Sequence, residues 1–158
     1  MSIESAPPAT GAAAGAIGQL ALQAVYLKDC SFEAPQGPRV TPDWNPAIGL
    51  DLNTAVNIIE GDLREVVLTV TVSAKLGEQT AFLVEVKQAG AFVMQNLSDG
   101  DFRRAAGIVC PGVLFPYVRA VVSQLVSLGG FPQLLLPPVN FEALFAANNP
   151  EPGSAATN

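Results

Sequence analysis

The feature that most constrains the fold is a run over residues 65–75 in which apolar and polar side chains alternate. The even positions hold Val66, Leu68, Val70, Val72 and Ala74, while the odd positions are mostly polar, namely Glu65, Thr69, Thr71, Ser73 and Lys75. A period of two places each set on its own face of a β-sheet. The run therefore predicts a strand with one buried face and one polar face.

Three other segments are also typical of strands. Residues 48–52 alternate cleanly, and residues 80–88 place Phe82, Val84 and Val86 on one side. Residues 20–32 alternate loosely, with one parity that holds Leu20, Leu22, Ala24, Tyr26, Cys30 and Phe32. The later strands are joined by short connections, whereas parallel crossovers need about a dozen residues or more. The pattern therefore predicts a four-stranded antiparallel sheet.

The second half of the chain changes to a helical period. Asp101 is typical of a helix N-cap. Pro111 and Pro116 predict that this helix breaks or restarts, because proline lacks the backbone N–H that a helix interior uses. A longer helix is then expected over residues 115–128. An α+β fold results, with C-terminal helices packed on one side of the sheet.

The chain ends differ in composition from its centre. Residues 1–17 are rich in alanine, glycine and proline and predict a disordered extension, and residues 148–158 predict a flexible tail. One domain is expected over residues 18–147. Its last helix is predicted over residues 141–147, with Asn140 as the cap.

Composition excludes several classes of function. The chain contains no histidine and carries a net charge of −6. An enzyme would therefore need Cys110 or a carboxylate as its catalyst, without the usual general base. Arg103 and Arg104 form the only adjacent basic pair, whereas nucleic-acid binding needs clustered cations. We expect no catalytic residue, metal ion, cofactor or nucleic-acid partner.

The sequence also bears on location and on exposed apolar surface. Residues 1–4 lack the basic start of a secretory signal. The apolar stretch 108–128 is interrupted by Pro111, Pro116 and Arg119, unlike a bilayer span. We therefore expect a cytoplasmic protein that does not insert into membranes. Since 49% of the residues are apolar and only 14% are charged, an oligomer interface or an open binding groove is expected.

Two sets of residues are candidate sites, and each has two interpretations. Asp29 and Glu33 emerge on one strand face, with Glu78 at the tip of a connection; they form either a solvated polar face or an acidic docking patch. The second set contains apolar side chains, namely Trp44, Leu50, Leu52, Phe141, Leu144 and Phe145. These form either ordinary core or a groove for extended peptides.

A series of short segments resembles the SecB family of bacterial export chaperones. In order, the segments are KDCSFEAP (28–35), DW (43–44), LDL (50–52), EVVL (65–68), LGEQTAF (76–82), CP (110–111), LFPY (114–117), FPQL (131–134) and PVNFEALF (138–145). The resemblance covers residues 19–147. It departs from the family pattern at Gly112, Leu135 and Pro137.

The resemblance implies a function and a set of contacts. Members are homotetramers, built as dimers of dimers, that bind unfolded precursor proteins in the cytoplasm and deliver them to the translocation ATPase SecA without using nucleotide themselves. The implied SecA contacts are Asp29, Glu33, Leu76 and Glu78. The implied client groove is formed by Trp44, Leu50, Leu52, Phe141, Leu144 and Phe145. The implied oligomer interface contains Ala105, Ala106, Gly107, Ile108, Val109 and Cys110.

Other functions stay open at this point. A small-ligand carrier would enclose the apolar set in a closed pocket. A relative with a specialised partner, such as a chaperone paired with a toxin system, would share the fold. In the family the C-terminal tail can assist the contact with SecA; here the tail carries a single acid, Glu151, so this additional contact stays open.

Overall fold

The computed structural model describes residues 17–38 and 42–149. Within these residues the chain forms β1 (Gln19–Glu33), β2 (Ala47–Glu60), β3 (Leu63–Leu76), β4 (Gln79–Gln95), α1 (Asp99–Arg104), a π-helical turn (Ala105–Val109), α2 (Cys110–Leu128) and α3 (Phe141–Asn148). The predicted disorder of residues 1–17 and 148–158 falls almost entirely outside the described part and stays a prediction. The last helix, α3, continues one residue past the expected domain end.

The four strands form one antiparallel sheet in the order β1-β4-β3-β2. The predicted α+β fold is confirmed, with the helices on one face of the sheet. Two strands are longer than their alternation indicated, β2 by its second half and β4 by residues 89–95. The sequence did not predict the continuation of β4, because Ala89, Gly90 and Ala91 are weak strand formers.

The single parity expected for β1 is wrong. Register shifts between Leu22 and Ala24 and between Leu27 and Asp29 each add a residue to the strand. Such bulges exchange the two faces of the strand. As a result, Tyr26 lies opposite Ala89 on the face away from the helices, not on the face of Phe32.

The hydrophobic core lies between the sheet and the continuous helix formed by α1, the π turn and α2. The even positions of β3 are fully buried as predicted, and they contact buried residues of β4 and α2. The principal members are Leu68, Val70, Val72, Phe82, Phe92, Leu114, Val118 and Val122. Leu114, Val118 and Val122 recur at helical spacing on α2, which places one apolar stripe against the sheet.

The helix begins earlier than predicted and is not broken by its prolines. Its N-cap is Ser98, whose Oγ accepts a hydrogen bond from the Asp101 backbone N–H at 3.1 Å. The wider π turn, in which the Cys110 N–H donates to Ala105 O, precedes Pro111.

The helix over Asp99–Leu128 is long and apolar enough to cross a membrane by length and composition alone. The same composition is expected of a core helix. Seven residues of α2 are buried in the fold, including Leu114, Val118 and Val122 against the sheet. Packing within the chain therefore accounts for the apolar character of this stripe.

Candidate functional site

A groove of about 390 Å³ opens between β2 and the C-terminal helix α3. Its apolar surface comes from β2, α1 and α3, and its polar surface comes mainly from asparagine amides. The lining residues are Leu52, Asn53, Thr54, Val56, Phe102, Arg103, Ala106, Gly107, Phe141, Leu144, Phe145, Asn148 and Asn149. Apolar walls with neutral hydrogen-bonding groups suit an extended chain that exposes its backbone.

The wall formed by α3 is held by contacts at its start. The Asn140 side chain accepts a hydrogen bond from the Ala143 N–H at 3.0 Å, which confirms the predicted cap. Glu142 pairs with Arg104 at 3.2 Å. Phe141 is buried and meets Phe115 edge-on, with 5.9 Å between ring centroids. The helix is thereby anchored on one side, and its other side is left to line the groove.

Gly107 allows Phe145 to lie close to the long helix. A Cβ at this glycine would come within 2.6 Å of Phe145 Cδ2, which is closer than side chains approach one another. The Arg104 guanidinium lies 5.9 Å from the centre of the Phe145 ring. Phe145 is therefore held as a half-buried wall of the groove.

The six predicted groove residues do not all meet. Leu52, Phe141, Leu144 and Phe145 line the groove together. Leu50 lies on the same face of β2, two residues closer to the start of the strand. Trp44 lies outside the groove lining and packs on Phe131, with 5.5 Å between ring centroids. Phe131 in turn contacts Phe32 and Phe82, so Trp44 belongs to an aromatic cluster.

The acidic pair lies on the sheet face away from the helices. Asp29 and Glu33 are exposed on β1, opposite Lys87 and Leu83 of β4 respectively. Glu85 lies opposite Ser31, between them. Asp29, Glu33, Leu83 and Glu85 therefore share one patch, which we call the acidic face. Leu83 and Glu85 were missed, although the alternation that buries Phe82, Val84 and Val86 already places them here.

The other two predicted contacts with SecA lie at the β3–β4 turn. Leu76 ends β3 and lines a small cavity of about 180 Å³ together with Gln36 and Phe131, beside the aromatic cluster. Glu78 is exposed in the turn before β4. Gln36 follows Glu33 by three residues, so Leu76 lies close to the end of β1. The grouping of these four residues into one contact for SecA stays a prediction.

A second polar cluster lies further along the outer face of the sheet. Glu65 of β3 accepts hydrogen bonds from Tyr26 of β1, from Lys28 Nζ at 2.6 Å and from Asn57 Nδ2 at 3.2 Å. These donors, first Lys28 and then Tyr26, lower the pKa of the Glu65 carboxyl. Burial, with the hydrogen bond to Glu65, raises the pKa of Tyr26 to about 12.

The six residues predicted at the oligomer interface divide by burial. Ala105, Ala106 and Cys110 are already buried within the chain, and Gly107 and Ile108 are half-buried. Val109 is 48% exposed. Two further apolar side chains of α2 are exposed, Tyr117 and Leu128. The long helix thus leaves a partly apolar surface facing away from the sheet.

The sequence profile described as "Preprotein translocase subunit SecB" matches residues 13–151. The chain belongs to the SecB family. The protein-export protein SecB of Ectopseudomonas mendocina is 46% identical over 144 residues, which cover 90% of this chain and 89% of the relative. The protein of that name from Pseudomonas aeruginosa is 50% identical over 130 residues, covering 81% and 80%. The resemblance is confirmed, and the family is one of protein-export chaperones.

Among solved structures, a SecB-like chaperone from Mycobacterium tuberculosis matches with a TM-score of 0.67. That protein was solved with a ChAD peptide from the HigA1 antitoxin. It is 16% identical, and the match covers 77% of this chain and 91% of the other. At this identity the likeness shows the shared fold, a four-stranded antiparallel sheet with helices on one face.

A catalytic function would need a reactive cysteine or a carboxylate that can transfer a proton. Cys110 is fully buried, and burial raises the pKa of its thiol to about 12. Such a thiol stays protonated and cannot act as a nucleophile at neutral pH. Glu65 is held ionised by its partners and therefore cannot serve as a general acid. Cys110 and Glu65 are thus each in the wrong protonation state for these two roles.

Proposed function

We propose that this SecB-family protein is a holdase that binds unfolded precursor polypeptides in the cytoplasm, keeps them competent for translocation and delivers them to SecA. The observation that carries the proposal is the open groove between β2 and α3. Leu144 lies on its wall and is 40% exposed, because no other described element covers it. An unfolded client presents the apolar side chains that such a wall can bury, and a folded protein hides them.

The size of the groove predicts weak contacts at each copy of the chain. Burial of apolar surface contributes about 25 cal/mol per Å². Ordering the client and losing its free motion offset much of this gain. Several grooves on one homotetramer, a dimer of dimers, would raise the apparent affinity for a long client by about 10² to 10⁴. Weak contacts also tolerate many client sequences.

We place the docking surface for SecA on the acidic face. Asp29, Glu33 and Glu85 supply negative charge there, and Leu83 adds an apolar contact that is 37% exposed. Leu76 and Glu78, at the β3–β4 turn, would extend this contact. Docking through exposed charges is expected to weaken with salt. The two activities therefore use opposite faces of the sheet.

Assembly is supported by exposed apolar groups on the long helix. Val109 and Tyr117 are about half exposed there. Contact with a second copy of the chain would remove these side chains from water.

Export is favoured over a specialised partner by the pattern of similarity. The relatives named protein-export protein share 46% and 50% identity with this chain. The antitoxin-bound chaperone shares 16%. A small-ligand carrier fits less well, because a closed pocket would cover Leu144.

The proposal is tested by separating the two activities with two variants. Leu144→Ser with Phe145→Ser should weaken capture of an unfolded precursor by about tenfold or more, because losing the burial of a Leu or Phe costs about 1.5–3 kcal/mol. Its binding to SecA should be unchanged. Asp29→Lys with Glu33→Lys should weaken SecA binding by about fivefold or more and leave client capture intact. Loss of both activities in either folded variant would contradict the two-surface arrangement.

A further inference from the structure

The second bulge of β1 decides which residues of that strand face outward. One residue, Lys28, is inserted between two neighbours that pair with successive residues of β4. Strict alternation from Tyr26 without this insertion would turn Asp29 and Glu33 towards the helices. With the insertion, both lie on the outer face of the sheet, which they share with Tyr26. The acidic face therefore exists only in this register of β1.

The inserted residue is held by a carboxylate two strands away. Lys28 Nζ lies 2.6 Å from Glu65 Oε1 on β3, and Tyr26 donates a hydrogen bond to the same carboxylate. Asn57 of β2 adds a third hydrogen bond at 3.2 Å. The Glu65 side chain is only 12% exposed, so this ion pair is better shielded from water than an ordinary surface pair. One carboxylate thus binds both the inserted residue and the outward-facing residue two positions before it.

Tyr26 reaches Glu65 by crossing β4. Tyr26 lies opposite Ala89 of β4, and Glu65 lies opposite Ala91 on the same face. Both alanines are buried, although the described helices pack on the other face of the sheet. The aromatic ring that passes over them accounts for this burial, and their small side chains leave room for it. The cluster is therefore packed against the sheet and is not a loose set of surface contacts.

A second anchor holds β1 on the other side of the bulge. Phe32 faces the helices, with its ring centroid 5.9 Å from that of Phe82 and 6.2 Å from that of Phe131. Loss of the outer anchor would leave Phe32 in place. The backbone beside the bulge, at Asp29, would then be free to move, whereas Glu33 would stay fixed by its neighbour in the aromatic cluster.

We propose that Glu65, through Lys28 and Tyr26, is a positioning residue for the docking surface. The cluster keeps the bulge in the register that presents Asp29 to the receiving protein. This inference rests on the proposed docking of SecA at the acidic face. Charge alone predicts the reverse effect of the lysine, because removing a positive charge beside an acidic surface should strengthen the binding of a basic partner. The two accounts therefore predict opposite signs for one substitution.

The test is Lys28→Met, measured as the affinity of SecA for the full-length protein. We expect binding to weaken about two- to fivefold, the range of the one exposed ion pair that Asp29 would lose. Tyr26→Phe, which keeps the ring and removes the hydroxyl donor, should also weaken it. Lys75→Met is the matched control, since it removes an exposed positive charge of β3 outside the cluster, and it should not weaken binding. Client capture should be unchanged in all three variants.

A double-mutant cycle separates positioning from a general loss of stability. Asp29→Asn should weaken SecA binding in the unmodified protein but add little in the Lys28→Met background, because Asp29 is already displaced there. Glu33→Gln should weaken binding by the same factor in both backgrounds. If Asp29→Asn weakens binding by the same factor in both backgrounds as well, the positioning of Asp29 is overturned.

Amide hydrogen exchange tests the inference without SecA. In Lys28→Met, exchange should quicken over residues 24–29 and stay unchanged at Phe32. Tighter SecA binding by Lys28→Met, or unchanged exchange beside the bulge, would overturn the inference and leave the docking surface standing. If exchange quickens but Asp29→Lys with Glu33→Lys does not weaken SecA binding, the cluster holds the register and the proposed docking surface is wrong.

Discussion

At the scale of single residues, Glu65 joins three strands of the sheet through one carboxylate. Its hydrogen bonds from Tyr26 and Lys28 reach across β4, and the bond from Asn57 reaches β2. The crossing is possible because the residues of β4 that lie beneath it, Ala89 and Ala91, are small and buried. The cluster therefore fixes the bulged edge strand that carries the acidic face.

This cluster predicts a pH dependence of stability. Because the pKa of Glu65 is lowered in the folded state, its contribution is fully present above the unfolded value of about 4.3 and is lost as the pH falls through the lower folded value. Glu65→Gln should therefore cost about 1–3 kcal/mol at pH 7, and much less at the acidic end of the range. Denaturant unfolding at a series of pH values measures this difference. A gap that stays constant with pH would contradict the account.

The sequence indicated the polarity of this face but not the cluster. Alternation in β3 placed Glu65 on the polar face correctly, because β3 has no bulge near this residue. Tyr26 was assigned to the core face of the sheet, because the residue types do not indicate the bulges at residues 22–24 and 27–29. Bulges depend on how a strand fits its neighbour, and that fit is set by the tertiary structure.

At the scale of elements, the long helix shows where local signals were overridden. The prolines predicted a break, yet the chain stays helical through the π turn and through Pro111 and Pro116. The short helix α3 was predicted well, since Asn140 caps it in the expected way. The groove was predicted in part. Four of the six predicted residues line it together, whereas Trp44 packs against the ring of Phe131 outside it.

Two glycines near the ends of α2 predict opposite effects of alanine. Gly112 has open space where a Cβ would stand. Gly112→Ala should therefore raise the free energy of unfolding by about 0.5–1 kcal/mol, as expected for a helix interior. At Gly129 a Cβ would overlap the Phe32 ring, which is held by Phe82 and Phe131. Gly129→Ala should lower stability by about 1–3 kcal/mol.

Chemical denaturation of the two variants beside the unmodified protein measures both changes. They form a matched pair, because each adds the same methyl group to α2 or its cap. Destabilisation of similar size in both variants would contradict the packing described for the aromatic cluster and for the open side of the helix.

At the scale of the whole molecule, one sheet separates two kinds of surface. The groove lies on the edge formed by β2 and α3, and the acidic face lies on the far side at β1 and β4. Under the proposed function, a client and SecA would therefore not compete for one surface. Apolar burial governs the first contact and exposed charge the second, so their dependence on salt is expected to differ.

The proposed homotetramer gives a further prediction. Light scattering should report about four chains per particle. Val109→Asp with Tyr117→Asp should reduce that number, since both side chains are about half exposed on the long helix and their replacement leaves the core intact. Ile59→Asp, at an equally exposed apolar residue of β2, is the control and should stay assembled. A monomeric unmodified protein, or a tetrameric double variant, would refute this surface.

The most direct measurement of the central claim is the refolding rate of a denatured, slow-folding precursor diluted into buffer with and without this protein. An open groove on each chain predicts that refolding slows as the protein approaches equimolar amounts, and that Phe145→Ser restores much of the uninhibited rate. Refolding at the same rate with and without the unmodified protein would contradict the claim that the groove holds unfolded chains.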